Sequence, residues 1–453
     1  MSPRRILVIG GGASGVILAA HLLREGDPDL KLAFIERDTT IGAGVAYGTH
    51  ERDHLLNTRV GSMSAFADDP DHFWHWLTAS GRAEDVGCST PFCFVQRRVY
   101  REYLASVVSQ WTEGIGDGRL KVITSECVDL AAFDGGVSAT LADGHSVIAD
   151  LAVLTTGHAV PRTEPGSLYS SPWLSREELA IEPEASVAIV GTGLSMIDNV
   201  ALLRTQGHRG SIIAISRRGL LPRVHKQARP FKLDAADVPF GTSLTFLLRW
   251  LRRTIRWVEA EGGDWRDVVD ALRPHTQGLW QALPESAKRR FLRHGRTIWE
   301  VHRHRVAPQA DRSLRQALDE GQLTILPGRI GDVVLEDGRI AISLRRRGGE
   351  PARLTVDHLI DCTGILREPT SGETRLVERM IARGAARMDS LGFGIDVDRE
   401  CALIGKDGMV SRRLYAAGPV TRARFSEVTA IPDIRTQCAA LAKTLIARTS
   451  SLV

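Results

Sequence analysis

The sequence predicts an α/β protein that contains two similar units, each built around a parallel β-sheet. Two apolar runs, at residues 5–10 and 186–191, end in glycine and lead into Ala- and Leu-rich helical stretches. Each unit then reaches a second apolar run that is followed by a polar residue. Each closes with a further apolar run that ends in Thr-Gly, at 151–157 and 359–364. Short apolar runs of this kind are typical of strands buried on both faces of a parallel sheet.

Length and composition limit the class of protein. The 453 residues leave room for two or three domains, and 43% hydrophobic with 25% charged residues is typical of a globular chain. The sequence contains no apolar run of about 18 residues or more, so it predicts no membrane span. The basic start, which runs directly into Ile6, predicts no secretory signal peptide. The net charge of +4 does not indicate a nucleic-acid partner, and six cysteines without metal-ligand spacing fit the cytoplasm.

The first unit carries the pattern GxGxxG directly after its first strand. Its glycines allow a tight turn and let backbone N–H groups approach a pyrophosphate at the start of a helix. Glu36 lies 21 residues beyond Gly15, after the second predicted strand, where a carboxylate can accept hydrogen bonds from ribose hydroxyls. The alternative is a cluster of turn glycines with a surface glutamate. The pattern favours a site for FAD, with these residues as cofactor contacts: Gly10, Gly12, Ser14, Gly15 and Glu36.

The second unit carries a weaker version of the pattern, Gly191-Thr192-Gly193-Leu194-Ser195, with Met196 in place of the third glycine. Arg217 follows Gly191 by 26 residues, the offset that also separates Gly10 from Glu36. An arginine at this place suits a ribose 2′-phosphate, so the site is predicted to take NADPH, with NADH left open. The alternative is a solvated arginine pair at a strand end. The predicted contacts are Gly191, Gly193, Ser195, Arg217 and Arg218.

The remaining segments are predicted more coarsely. Residues 120–148 and 332–344 contain short runs of alternating residues interrupted by Asp-Gly pairs, and this pattern predicts small antiparallel meanders. The stretch from about 219 to 310 reads as mostly helical and is rich in tryptophan and arginine. Residues 414–419 form a predicted strand that ends at a glycine, and a C-terminal helix is predicted from about Asp433.

The layout resembles that of the two-dinucleotide-domain flavoproteins, which include glutathione reductase relatives and class B flavin monooxygenases. In that group two Rossmann-like (βαβ) domains occur, and the nicotinamide domain is inserted into the FAD domain. The resemblance implies a FAD domain at 1–160 and 366–453, and a NAD(P)H domain at 161–365 that includes the helical insertion of about 219–310. It also places three further glycines near the cofactors: Gly157, Gly364 and Gly418.

A narrower resemblance covers nearly the whole chain. The motifs that carry it are Gly42–Tyr47 with Leu55–Asn57, Phe94–Arg97 with Tyr103–Leu104, Pro172–Trp173, Ser216–Pro222 with His225, Trp299–Arg305, and Glu427–Arg435. They are similar to the family containing a FAD-dependent urate hydroxylase and a nitrosuccinate-forming aspartate N-oxygenase. The resemblance implies that Arg97 binds cofactor. The chain departs from the family at Ser426, where a tryptophan is expected before Glu427.

The resemblance implies a FAD-dependent monooxygenase that uses NAD(P)H and O2 to hydroxylate a small polar substrate through a C4a-hydroperoxyflavin. Its first implied substrate is urate, which would give 5-hydroxyisourate. The alternatives are an N-oxygenase of an amino acid or amine, a reductase that passes electrons on without oxygenation, and a non-catalytic nucleotide sensor. No metal and no nucleic acid are expected, and the oligomeric state stays open.

A dense cationic run at residues 302–305 is the candidate for holding an anionic substrate, because a buried anion needs charge-assisted donors. The hypothesis is that Arg303, Arg305 or Arg435 contacts this anion, and the alternative is a structural arginine network. For His225 a structural role is favoured.

Two further patterns have simpler interpretations. Cys88 and Cys93 have the spacing of a dithiol reductase, but chance spacing is favoured because the residues between them are not helical in character. Residues 247–256 alternate apolar and arginine positions at helical spacing. Such a helix can bind a membrane or a partner, and packing of its apolar stripe on the nicotinamide domain is favoured.

Overall fold

The computed structural model describes residues 4–158, 166–174, 176–227, 229, 231–346, 350–364 and 375–451. Within them the strands are β1 (Arg5–Ile9), β2 (Lys31–Glu36), β3 (Leu120–Thr124), β4 (Cys127–Phe133), β5 (Gly136–Leu141), β6 (Ser146–Ala149), β7 (Leu151–Leu154), β8 (Val187–Val190), β9 (Ile212–Ser216), β10 (Leu323–Pro327), β11 (Arg329–Glu336), β12 (Arg339–Arg345), β13 (Ala352–Val356), β14 (His358–Asp361), β15 (Ala402–Ile404) and β16 (Val410–Ala416).

The α-helices of the same residues alternate with these strands. They are α1 (Ala13–Glu25), α2 (Gly44–Tyr47), α3 (His72–Ala79), α4 (Arg82–Asp85), α5 (Arg97–Ser109), α6 (Arg176–Leu179), α7 (Leu194–Thr205), α8 (Leu244–Ala260), α9 (Trp265–Leu272), α10 (Thr276–Ala282), α11 (Glu285–His294), α12 (Arg296–Arg303), α13 (Pro308–Asp319), α14 (Leu376–Arg383), α15 (Arg422–Phe425) and α16 (Ile431–Ser451).

The first sheet has the strand order β15-β16-β7-β1-β2-β3 and is parallel except for β15. Its central strand β1 is buried from Ile6 to Ile9, and α1 packs against it together with the C-terminal helix α16. Strands β4 to β6 form the predicted antiparallel meander. The prediction was wrong for β3, which pairs in parallel with β2. In an edge strand of a parallel sheet, apolar and polar residues alternate as they do in a strand of a meander. The sequence pattern therefore did not distinguish the two kinds of strand.

The second sheet has the order β10-β9-β8-β14 and is parallel throughout. Strand β8 occupies the place that β1 holds in the first sheet, and β14 occupies that of β7. An antiparallel sheet of β11 to β13 corresponds to β4 to β6. Because β15 and β16 return to the first sheet after the second is complete, the second unit is inserted between two parts of the first. The predicted fold class is confirmed.

The helices α8 to α12 stand between β9 and α13 and correspond to the predicted helical insertion. Residues 219–243, which were predicted to belong to it, contain no α-helix in their described part. The apolar stripe of α8 contacts Leu272, Leu279 and Trp299, which are side chains of the insertion itself. The insertion was predicted as part of the nicotinamide domain, so the stripe packs within that domain, where the insertion helices form a small core of their own.

Two cysteines behave differently from the prediction. Cys88 and Cys93 form a disulfide with their Cα atoms 5.5 Å apart, so the interpretation as chance spacing was wrong. The loop between α4 and α5 brings the two cysteines together, and the sequence pattern did not predict their pairing. The remaining cysteines are free and buried. Among the residues that the structure describes, none of the helices has both the length and the apolar character needed to cross a bilayer.

Candidate active site

The first glycine loop connects β1 to α1 at the carboxyl edge of the first sheet. Gly10 has a φ of 107°, and a Cβ there would lie 2.7 Å from the carbonyl oxygen of Thr155. A Cβ on Gly15 would lie 2.1 Å from the Gly10 oxygen. Thr155, just beyond β7, donates its hydroxyl hydrogen to that same oxygen at 2.6 Å. Both glycines are therefore required for the turn itself.

The helix that follows this loop offers its amino end to a ligand. Gly12 stands at the N-cap of α1 and contributes no side-chain hydrogen bond. A Cβ on Gly12 would meet only the Cα atom of Gly44, at 3.5 Å, so a larger side chain would enter the space between the two loops. Glu36 accepts a hydrogen bond from the Gly11 N–H at 2.6 Å, which places its carboxylate directly beside the loop.

Two more of the predicted cofactor residues meet at the same edge. Gly418 follows β16 with a φ of 79°, and a Cβ there would lie 2.3 Å from the Ser14 hydroxyl oxygen. Gly157 also has a positive φ, 69°, and has open space around it. The structure thus brings the two glycines and Ser14 to the edge that carries the first glycine loop.

The second glycine loop repeats the geometry of the first. Gly191 has a φ of 110°, and its Cβ would lie 2.2 Å from the carbonyl oxygen of Cys362, just beyond β14. Gly193 is the N-cap of α7, without a side-chain cap, and has open space around it. Met196, in place of the third glycine, is fully buried in the core of this unit. The repeat seen in the sequence is therefore also a repeat of backbone geometry.

The two arginines after β9 differ in their surroundings. Both are exposed and both line the large cavity described below. Arg218 donates to the carbonyl oxygen of His294 at 3.1 Å, which ties it to the helical insertion. Arg217 makes no hydrogen bond or ion pair with any other described residue. Of the two, Arg217 is the one whose guanidinium stays available to a ligand.

A cavity of about 1400 Å³ lies between the two units and the insertion. From the second unit it is lined by the glycine loop, Ser195 and the two arginines. Its other walls come from the first unit and from the insertion helices. The residues predicted to contact substrate and the second cofactor share this cavity: Gly191, Gly193, Ser195, Arg217, Arg218, Arg303, Arg305, Gly364 and Arg435.

Arg97 joins the two units at the cavity wall. It begins α5, is buried, and forms an ion pair of 2.5 Å with Asp198 on α7. It also donates to the carbonyl oxygen of Leu55 at 3.2 Å. Its predicted contact with cofactor stays a prediction, since the guanidinium already has a carboxylate partner. Sequence reasoning missed Asp198, because nothing in the middle of an apolar helix signals a partner about a hundred residues away.

Arg303 belongs to a buried network that joins α12 to the segment before α16. Its Nε lies 2.6 Å from Glu427, and Asp433 accepts from Arg273 at 2.9 Å. Burial raises the pKa of Glu427, but Arg303, together with His304, Trp299 and Arg273, outweighs this effect, so the pKa is lowered. The indole N–H of Trp299 also donates to Glu427. The charge of Arg303 is thus compensated by carboxylates within the chain. This arrangement favours the alternative of a structural arginine network.

The other two candidate arginines have different partners. Arg305 is ion-paired with Asp270 and lies over the Trp265 ring. Arg435 donates to the carbonyl oxygen of Ser64 at 3.2 Å and has no carboxylate partner within the described chain. Its Nε is buried without a hydrogen-bond partner. Of the three, Arg435 is the one that lines the cavity without an ion-pair partner among the described residues.

Three histidines line the cavity in their neutral form. Burial, reinforced by nearby arginines, lowers the pKa of His225 to about 4, that of His304 to about 4 and that of His158 to about 3. The Nε2 of His225 lies 3.0 Å from the carbonyl oxygen of Asn57. A carbonyl only accepts, so this histidine carries its proton on Nε2.

The departure from the family motif at Ser426 has a counterpart in the structure. Ser426 has a φ of 54°, lines the cavity, and precedes the buried Glu427. Trp299 reaches Glu427 from the insertion and donates its indole N–H to the carboxylate. The sequence showed both residues, but it could not show that they meet.

Comparison with protein families finds one match, in the first unit. Residues 7–159 match the model of the family described as FAD-NAD(P)-binding. The match covers β1, the first glycine loop and β7, which are the elements that build the first site. No curated protein sequence matches the chain significantly.

Several solved structures share the whole fold. The ornithine N-hydroxylase of Kutzneria sp. 744, solved with reduced FAD, NADP+ and L-ornithine, is 17% identical with a TM-score of 0.67, over 98% of this chain and 99% of that one. The cadaverine monooxygenase of Erwinia amylovora, bound to FAD, is 15% identical with a TM-score of 0.66, over 98% and 94%. The L-lysine 6-monooxygenase of Pseudomonas syringae is 16% identical with a TM-score of 0.65, over 99% and 100%. At these identities the likeness shows a shared fold.

Proposed function

We propose that the chain is a FAD- and NADPH-dependent monooxygenase that hydroxylates the amino group of a small amine or amino acid. The observation that carries the proposal is the pair of uncapped glycine-loop helices, one at each sheet edge, together with the cavity of about 1400 Å³ between the units. The full-length likeness to three amine monooxygenases supports the reaction class. It favours the amine reading over the urate reading implied by the sequence, since none of those three is named for urate.

The first unit fits FAD. A pyrophosphate is suited to the amino end of α1, where neither Gly12 nor any other side chain caps the helix. Glu36 stands where it can accept from ribose hydroxyls, and Gly12 and Gly44 leave room for the phosphates. Residues 1–160 and 366–453 are proposed as the FAD domain and 161–365 as the NADPH domain. Both proposed boundaries fall within segments that lie outside the described residues, 159–165 and 365–374.

The chain's own contribution is to position and to shield. The bound flavin supplies the hydride acceptance and oxygen activation, and the protein supplies orientation and electrostatics. The amino end of α7 and Arg217 would hold the nicotinamide nucleotide in the cavity. His225, with its proton on Nε2 and its ring against Phe94 at 4.9 Å, helps to form a wall that excludes water.

The substrate is proposed to carry a carboxylate as well as an amine. Arg435 lines the cavity without an internal carboxylate partner, whereas Arg303 and Arg305 are already paired. A half-buried guanidinium that forms no ion pair favours an anionic ligand group. An α-amino acid provides such a group, and a plain diamine does not.

The test is a substrate panel with the purified protein. NADPH oxidation and hydroxylated product, detected by mass spectrometry, are measured with L-ornithine, L-lysine, L-aspartate, cadaverine and urate. We expect an N-hydroxylated product from at least one amino acid. Urate-dependent NADPH oxidation with 5-hydroxyisourate as product would return the function to urate hydroxylation. NADPH-dependent flavin reduction without any oxygenated product would instead favour the plain reductase.

L-Lysine and cadaverine form a matched pair, because they differ only in the carboxylate. Arg435→Met keeps the apolar stem and removes the charge, and loss of one charge-assisted contact costs about 1.5–3 kcal/mol, or roughly 10- to 150-fold in KM for lysine. KM for cadaverine should stay near the parent value. An equal change for both substrates would show that Arg435 acts on the fold of the cavity and not on the carboxylate.

A further inference from the structure

The outer face of α8 is exposed, and the described chain contacts it at Trp257, whose ring centroid lies 6.2 Å from that of Phe231. Its apolar stripe packs on the insertion, and the opposite side exposes four arginines together with Phe246 and Trp257, which are 49% and 57% exposed. At 100° per residue these positions fall on one continuous side of the helix. The arginines are Arg249, Arg252, Arg253 and Arg256.

These arginines lack the intrahelical ion pairs that two arginines on the neighbouring helices make. Arg289 pairs with Glu285 on α11, and Arg296 pairs with Glu300 on α12, each one turn away. On α8 the residues one turn from Arg249, Arg252 and Arg253 carry no negative charge, and Glu259, three residues after Arg256, forms no ion pair with it. None of the four makes an ion pair or side-chain hydrogen bond among the described residues. Like charges at this spacing destabilise a helix, so the isolated chain gains nothing from keeping them together.

We propose that the outer face of α8 docks the protein on an anionic lipid surface. Clustered arginines on one face of a helix are attracted to anionic headgroups. Aromatic side chains at the border of such a face are suited to the boundary between headgroups and acyl chains, where an amphipathic ring keeps one edge wet. Phe246 and Trp257 lie three turns apart along the same side, so both reach one flat surface.

The aromatic border favours a lipid surface over nucleic acid or an acidic protein. Recognition of phosphate groups alone would use the arginines but not the exposed rings of Phe246 and Trp257, which lie three turns apart. A flat anionic bilayer uses both features at once. None of the four arginines lines the cavity between the two units, so docking through this face leaves the cavity open.

The test uses the full chain and vesicles of phosphatidylcholine alone or with one quarter phosphatidylglycerol. Flotation should recover the protein with the anionic vesicles at low salt, less at high salt, and not with phosphatidylcholine alone. Arg249→Glu with Arg253→Glu should lower the partition coefficient by about tenfold or more, since each arginine near an anionic surface adds roughly a fivefold factor. Phe246→Ser should weaken binding at high salt, where the apolar contribution remains.

Arg399→Glu with Arg412→Glu is the matched control, because both arginines are exposed and unpaired on the other unit. It changes the net charge equally and should leave flotation unchanged. Unaltered thermal unfolding of each variant shows that the fold is kept. Absence of binding to anionic vesicles at low salt overturns the proposal. So does equal loss in the control, or capture by DNA through these arginines without vesicle binding.

Discussion

Arg217 offers the sharpest test of the second nucleotide site. It lies at the end of β9, 26 residues after the first glycine of its loop, and its exposed guanidinium has no partner within the described chain. Replacement by alanine therefore breaks no internal contact, and any change in kinetics reports on the ligand. A charge-assisted hydrogen bond contributes about 1.5–3 kcal/mol, so the loss of one raises KM for NADPH by roughly 10- to 150-fold. NADH lacks the 2′-phosphate, and its KM should change little.

The assay is steady-state NADPH and NADH oxidation, together with anaerobic stopped-flow reduction of the bound flavin. Arg218→Ala is the matched control, because Arg218 is held by the carbonyl oxygen of His294 and should have the smaller effect on coenzyme choice. A parent enzyme that prefers NADH, or an Arg217→Ala variant with an unchanged ratio of the two KM values, would refute the assignment of Arg217 to the 2′-phosphate.

Three further predictions follow from the described contacts. The purified protein should release FAD on denaturation. Both Gly12→Glu and Gly418→Ala should lower its flavin content, the second because the new Cβ would lie 2.3 Å from the Ser14 hydroxyl. Full flavin content in both variants would exclude the proposed FAD site. Thiol titration of the denatured, unreduced protein should find four free thiols and two more after reduction, whereas six before reduction would exclude the Cys88–Cys93 disulfide. In the folded chain the pKa values of His158, His225 and His304 are about 3, 4 and 4. Below pH 6.5 the unfolded chain therefore binds protons at these histidines while the folded chain does not. As a result, the free energy of unfolding should fall between pH 6.5 and about 4. Each histidine contributes at most about 1.4 kcal/mol per pH unit, so His225→Gln should flatten the dependence of thermal stability on pH, and an unchanged slope would show that His225 is already protonated in the fold.

The paired arginines show why a candidate site is harder to predict than a fold. The run at 302–305 indicated charged donors, and the structure does place Arg303 and Arg305 on the cavity. Their carboxylate partners Glu427, Asp433 and Asp270 come from other segments, so their charges are compensated inside the protein. Arg273 was missed altogether, because a single arginine at the end of a helix carries no sequence signal.

The sequence by itself determined the two parallel-sheet units, their glycine loops and the positions of Glu36 and Arg217. These features are local: strand, turn, helix and second strand follow one another within about 26 residues, and the backbone geometry of the turn requires the glycines. The tertiary structure alone decided the parallel pairing of β3, the joining of Cys88 to Cys93 and the freedom of Arg435. It also decided that the arginines of α8 face outward. Each of these depends on contacts between segments far apart in the chain, and hydrophobic periodicity fixes which face of an element is buried but not which element covers it.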